Sequence, residues 1–222
     1  MLENAVTATV AEPPIRTLAD MLRRLGNVPL DRIRFHPAPG LATERDLLEV
    51  EQVENIACEL IDGVLVEKGM GYRESILATA LAAMLRAFVK PRNLGIVSGP
   101  DGMLRLFPGL VRIPDVAFAS WDRIPGRKIP QEPIPDLSPE LVVEVLSQSN
   151  TEAEMQRKLR EYFDSGVRLV WLIDPRQRLV RVFSDGMLTA TLTAGDALTA
   201  DDILSGFRLP LEELFSELDV EG

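Results

Sequence analysis

Cysteine and histidine are almost missing from this chain of 222 residues, which has one of each. Cys58 has no second cysteine with which to form an internal disulfide, and with His36 alone beside it no Cys/His zinc cluster can be assembled. A lone histidine also excludes any mechanism that needs two. Any metal here has to be a hard cation held by oxygen ligands. No Gly-rich phosphate loop, G-x-S-x-G elbow or H-E-x-x-H helix occurs. No apolar run approaches the roughly 18 residues of a membrane span, and the opening MLENAVTATVAEPP lacks the basic start and apolar core of a signal peptide. A cytoplasmic protein without membrane contact is therefore expected. Excess basic charge is missing too: the net charge of −10 speaks against a broad electrostatic grip on nucleic acid, which normally rests on clustered Lys and Arg.

What is present is a hydrophobic content of 46%, enough to bury the core of one medium-sized domain. Residues 1–15 read as a flexible tail, residues 16–52 as a helical extension and residues 53–222 as the main domain. In the extension, TLADMLRRLG has helical spacing with a glycine stop at Gly26, and a second helix over TERDLLEVEQ takes Thr43 as its N-cap. In CELIDGVLVEK the pair Asp62-Gly63 predicts a tight hairpin between strands at about 57–61 and 64–68. RESILATALAAMLRAFVK, from Arg73 to Lys90, keeps a broad apolar stripe and predicts the longest helix, ended by Pro91. Strands follow at GIVSG, MLRLF, VRIPDVAFA and ELVVEVLS. Thr151 and Glu154 then form a T-x-x-E capping box, opening a helix that closes at Gly166. LVWLIDP reads as a strand buried on both faces, RLVRVFSDGMLTATL as a hairpin, and GFRLPLEELFSEL as a short terminal helix starting near Pro210. The order predicts an α/β domain with a central mixed sheet flanked by helices, an N-terminal helical extension, and a C-terminal hairpin plus short helix.

Two acidic residues are out of character for their strands. In ELVVEVLS the alternation places Val142, Glu144 and Leu146 on one face and Leu141, Val143 and Val145 on the other, so Glu144 interrupts an apolar surface. An unpaired buried carboxylate costs several kcal/mol, and Glu144 must be protonated, paired or bound to a cation. Asp115 follows Pro114, which cannot donate to a ladder and marks a bulge or strand edge that turns the aspartate into a pocket. Two such acids on neighbouring strands supply the few oxygens that Mg²⁺ accepts while it keeps most of its waters. A divalent ion there can activate water and stabilise the charge that develops on a phosphate during in-line displacement. Lys158, at the edge of the apolar stripe of the following helix, is placed to reach back towards them, whereas Arg157 and Arg160 point more nearly to solvent.

Each feature also has a structural reading. Asp115 after a proline is a common turn element. Glu144 can be neutralised by an arginine such as Arg112 or Arg181, and Lys158 can snorkel to the surface. Glu59, with an apolar neighbour on each side, is either a third site carboxylate or half of a surface pair. Glu74 complements its helix dipole, and His36 is a loop residue. The proline-rich segment SWDRIPGRKIPQEPIPDLSPE is long for an idle connection and is expected to border a site.

Taken together, CELIDGVLVEKGMGYRES, VRIPDVAFASWD, PELVVEVLSQSN and EMQRKLREYFDSGVRLVWLIDP closely resemble the bacterial "putative restriction endonuclease" family of the PD-(D/E)XK nuclease superfamily. The likeness runs from roughly Glu44 to the C-terminus, where GFRLPLEELF is similar to that family's usual ending. It implies a restriction-endonuclease-like core, dependence on Mg²⁺ (with Mn²⁺ as its substitute) and cleavage of DNA; residues 53–222 become a nuclease-like domain. Asp115 matches the PD aspartate and Glu144 the acidic residue of (D/E)XK. The motif lysine is replaced by Leu146, so the nearest candidate is Lys158, as in relatives whose lysine is displaced. Where the family often has a histidine near the start of the long helix, this chain reads Arg73, Glu74, Ser75.

Two readings of function follow. The first is a Mg²⁺-dependent endonuclease acting on DNA, with Asp115 and Glu144 as metal ligands, Lys158 as the assisting cation and Glu59 or Glu74 as an accessory acid. Nuclease analogy adds a homodimer. The second, motivated by the acidic charge and the displaced lysine, is a catalytically inactive module that keeps the scaffold and binds nucleic acid or a protein partner.

Overall fold

The hairpin signal Asp62-Gly63 folds as the residues dictate: both take positive φ, 51° and 74°, the conformation that a tight two-residue turn requires. It joins β1 (Cys58–Ile61) to β2 (Val64–Glu67). The computed structural model describes residues 14–219. Most of the expected tail therefore lies outside the described residues; Pro14 and Ile15, the part within them, are exposed. Ahead of the hairpin stand α1 (Leu18–Arg24) and α2 (Glu44–Glu54), each opened by a threonine capping box, at Thr17 with Asp20 and at Thr43 with Asp46. The long helix α3 spans Tyr72–Val89.

After α3 come β3 (Gly95–Ser98), β4 (Leu104–Phe107), β5 (Leu110–Arg112), β6 (Val116–Ser120) and β7 (Leu141–Val145). The segment VRIPDVAFA, expected as one strand, is two. Pro114 has no N–H for a ladder, and the chain changes partners there: β5 pairs with β1 and β4, β6 with β3 and β7. Helix α4 (Glu152–Asp164) follows, with the expected Thr151–Glu154 capping box. It closes in a Schellman arrangement, in which Gly166 (φ 97°) donates to Phe163 O and Val167 to Tyr162 O. Then come β8 (Leu169–Asp174), β9 (Leu179–Ser184) and β10 (Met187–Thr193), and a small ribbon of β11 (Ala197–Thr199) and β12 (Arg208–Pro210) that the sequence reading did not anticipate. Helix α5 (Leu211–Ser216) starts right after Pro210.

The central sheet is six-stranded and mixed, in the order β10-β9-β8-β7-β6-β3, with β7 and β8 its parallel pair. Their crossover is α4, as a parallel connection requires. A second sheet, β2-β1-β5-β4, is antiparallel throughout. Leu141, Val143 and Val145 bury against α3 and α5, while Val142 on the opposite face packs with Met155, Leu159 and Tyr162 of α4. Met21, Leu25 and Val28 of the extension join that second layer, as do Ile61, Val64 and Val66 of the smaller sheet. Helix α2 covers the outer side of that sheet through Leu47 and Val50, over Cys58, Leu60 and Leu65. The two sheets thus meet at a seam lined by the inner faces of β1, β2 and β5 and by the α4 side of β7. Among the described residues no helix is long and apolar enough to cross a membrane.

Candidate active site

Alternation along β1 and β5 puts Glu59 and Arg112 on the inner side of the smaller sheet, and alternation along β7 puts Glu144 beneath α4. All three are buried, as are Asp115 and Lys158. The structure therefore gathers Glu59, Asp115, Glu144 and Lys158 at the seam. Lys158 is not a snorkelling lysine: it is 3% exposed, and its Nζ lies 3.1 Å from both oxygens of Glu144 and 3.1 Å from Glu59 Oε1. It bridges a carboxylate of one sheet to a carboxylate of the other. Tyr162, one turn further along α4, donates its hydroxyl to Glu144 Oε1.

Glu59 is no surface residue either. Arg112 donates to its Oε2 at 2.6 Å, and the Ile113 N–H to its Oε1 at 3.2 Å. The Arg112 guanidinium also binds Glu161, so this arginine serves Glu59 and Glu161, and it is Lys158 that pairs with Glu144. Arg181, the other arginine considered for Glu144, instead faces Glu152 at 3.7 Å. Glu74 stays at the start of α3, with its carboxylate folded over Gly71, where an added Cβ would stand 2.2 Å from Oε2. His36 sits in an exposed bend. Arg157, expected near solvent, is held by Glu161 at 2.5 Å and Asp62 at 3.0 Å, whereas Arg160 is exposed.

Asp115 stands where the chain crosses from one sheet to the other. Its N–H donates to Val143 O at 3.0 Å, and its Oδ2 accepts from the Val145 N–H at 2.6 Å, which fixes it one residue beyond Glu144 along β7. Its Oδ1 is buried without a hydrogen bond and lies 2.7 Å from the Nζ of Lys68. Lys68 is the residue that the sequence reading missed. The signal was there: Val64, Val66 and Lys68 alternate onto one face, so a lysine follows two core valines. Tyr162 lies on the apolar stripe of α4 with Met155 and Leu159, so spacing alone does not reveal the role of its hydroxyl.

Glu59, Asp115 and Glu144 face Arg112, Lys68 and Lys158, and Glu161 shares Arg112 with Glu59. Burial pushes the Glu59 carboxyl up, but the Lys158 ammonium and the Arg112 guanidinium outweigh it and hold it at about 2. Glu144 is raised above the usual carboxylate range, mainly by burial; Lys158 opposes the shift, and Asp115 and Glu59 add to it. Burial disfavours the charged form of Lys158, yet Glu144 and Glu59 prevail and raise it. Tyr162 is raised by burial and then by Glu144, so its hydroxyl remains a donor.

Among the described residues no three or more acidic, histidine or cysteine side chains form a metal cage. The carboxylates that could hold a metal are Asp115 and Glu144, one of which has a buried oxygen free of hydrogen bonds. Such a pair fits Mg²⁺, which is held by one or two carboxylates and keeps several waters. The same face of β6 continues from Asp115 to Ala117 and Ala119, which border a mainly apolar cavity of about 220 Å³ under the proline-rich loop. That loop lines the cavity, and its Arg123 and Arg127 pair with Glu140 and Asp122.

A family model described as "Uma2: Putative restriction endonuclease" matches residues 45–212. The match opens within α2 and ends within α5, so α1 precedes it. A crystal structure described as a putative nuclease from Anabaena variabilis ATCC 29413 superposes with a TM-score of 0.65 at 22% identity, over 74% of this chain and 92% of that one. No curated protein matches. The architecture is accordingly the restriction-endonuclease-like fold.

Proposed function

We propose, from the premise that this chain belongs to the Uma2 family of putative restriction endonucleases, that it is a divalent-metal-dependent endonuclease that hydrolyses phosphodiester bonds of DNA. The observation that carries the reading is the convergence of two acids from adjacent strands with an ammonium from the following helix: Lys158 lies 3.1 Å from Glu144, and Asp115 is bonded to the residue after Glu144. Asp115 and Glu144 would hold the ion, Mg²⁺ or Mn²⁺. When bound, such an ion stabilises the charge that develops on a transferring phosphate.

The protein's own groups do the rest. Lys158 fixes the Glu144 carboxylate and opposes the upward shift that burial gives it, and Tyr162 and Glu59 fix Glu144 and Lys158 in turn. Arg112 holds Glu59 in place from β5. An amine so placed beside the ligands can orient an attacking water or steady a phosphate oxygen. The active species on duplex DNA is proposed to be a homodimer.

Purified protein incubated with supercoiled plasmid and Mg²⁺ or Mn²⁺ is expected to nick or linearise it, and chelation to stop the reaction. Asp115→Ala and Glu144→Ala are expected to abolish cleavage; cleavage that persists in either overturns the assigned roles. A second reading, an inactive scaffold that binds nucleic acid or a protein, draws on one observation: each of the two acids already has an ammonium partner. Failure to cut single-stranded, double-stranded and structured substrates, together with retained binding, would favour it.

A further inference from the structure

Lys68 takes no part in the roles above, and its surroundings are unusual for a lysine. It follows β2 directly, and its N–H donates to Ala57 O at 2.8 Å, so its backbone is held as an extension of the hairpin. The side chain is 7% exposed. Its Nζ donates to the Pro100 carbonyl at 2.9 Å, which anchors the ammonium in the turn after β3. From there it reaches 2.7 Å from Asp115 Oδ1. This oxygen is buried and accepts no hydrogen bond, while its twin is committed to Val145. The contact is therefore one of charge without hydrogen-bonding geometry.

The two kinds of cation at the seam differ in how readily they leave. Arg112 is tied by separate nitrogens to Glu59 and Glu161, and its planar fork is fixed by both. Lys68 carries a compact charge on a flexible four-carbon stem, and its only formal hydrogen bond among the described residues is to a neutral carbonyl. The chain beyond it is Gly69, Met70, Gly71, partly exposed and outside any helix or strand. A buried carboxylate needs a cation beside it, and a lysine of this kind supplies one without fixing it there.

We propose that Lys68 is an exchangeable counter-ion: its ammonium occupies the cation position on Asp115 in the metal-free protein and withdraws when a divalent ion binds. Metal affinity is then set by competition with a lysine of the protein itself. The inference rests on the reading of Asp115 as a metal ligand. The Lys68 ammonium stands 2.7 Å from the one Asp115 oxygen that accepts no hydrogen bond, so an ion taking that oxygen is repelled by it at close range and its entry favours the ammonium's departure.

Calorimetric titration of the full chain with MnCl₂ tests this without recourse to activity. Lys68→Met is expected to bind Mn²⁺ at least tenfold more tightly than the unaltered chain. Lys68→Arg, which retains the charge on a stiffer fork, is expected to bind at least tenfold more weakly, and Asp115→Asn not at all. If Lys68→Met binds no more tightly while Asp115→Asn abolishes binding, the exchange is refuted and the ligand role of Asp115 survives. Binding unchanged in Asp115→Asn, or no binding by any form, removes the ligand reading and the exchange with it. Should Lys68→Met fail to fold, the arginine variant decides: binding as tight as in the unaltered chain overturns the proposal.

Discussion

Lys158 and Glu144 form a two-pronged contact inside the protein, with Nζ 3.1 Å from each carboxylate oxygen, although one sits on α4 and the other on β7. The same ammonium meets Glu59 from the second sheet. Removing it leaves the buried Glu144 carboxylate without a cation, while Glu59 keeps Arg112. Lys158→Met is expected to lower stability by about 3–5 kcal/mol, the usual cost of leaving a buried charge without its partner. Urea unfolding measures this, and the double variant with Glu144→Gln should recover part of the loss. A loss below about 1 kcal/mol would show that the pair does not form in solution.

Acid should unfold the protein partly through Glu59. Its folded carboxyl is held at about 2, below its ordinary value of 4.5, with Lys158 and Arg112 outweighing burial. A depressed carboxyl contributes stability that is present in full above about pH 4.5 and is lost as pH falls towards 2. The urea midpoint should decline across that window, and the decline should be shallower in Glu59→Gln. Parallel slopes in the two proteins would mean that Glu59 is not ionised in the native state.

Gly26 tests the seating of the N-terminal extension. Its φ is +81°, and a Cβ there would come within 2.5 Å of the Glu154 backbone at the start of α4. Gly109 has a similar φ of +78° with nothing within 4 Å of such an atom. Alanine at either site strains the backbone, at a cost above about 1 kcal/mol. Only at Gly26 does it also push α1 off α4, and thermal melting should show a distinctly larger drop for Gly26→Ala. Equal drops would mean that the extension does not pack there in solution.

Cys58 reports on the cover that α2 provides. It is fully buried, and burial pushes its thiol up to about 12. Ellman's reagent at pH 8 should react only as fast as the protein opens, with a rate that climbs with urea. Rapid full labelling of the native protein would show that α2 is not seated on the smaller sheet.

Much of this arrangement was legible from local patterns. The Asp62-Gly63 turn, the Thr43 and Thr151 caps and the stripe of α3 are short-range features, and Glu144 was exposed as an anomaly by alternation along one strand. What escaped depends on long-range pairing. Pro114 marked a disturbance, but nothing nearby says that β5 and β6 join different sheets. Lys68 meets Asp115 only because the hairpin folds over the β6 crossing, and Arg112 pairs with Glu59 through strand neighbours distant in sequence. The β11–β12 ribbon escaped because three-residue strands carry too little alternation to read.

The crossing at Pro114 means that the acids are not mounted on a single slab. Glu59 and Arg112 travel with one layer, Asp115 and Glu144 with the other, and α4 spans the joint. In an enzyme, a misplacement of about 1 Å can cost on the order of a hundredfold in rate. Alignment of this centre is thus a tolerance on how two sheets stack, and substitutions at their contact, remote from every charged group, should detune it like a loosened bearing.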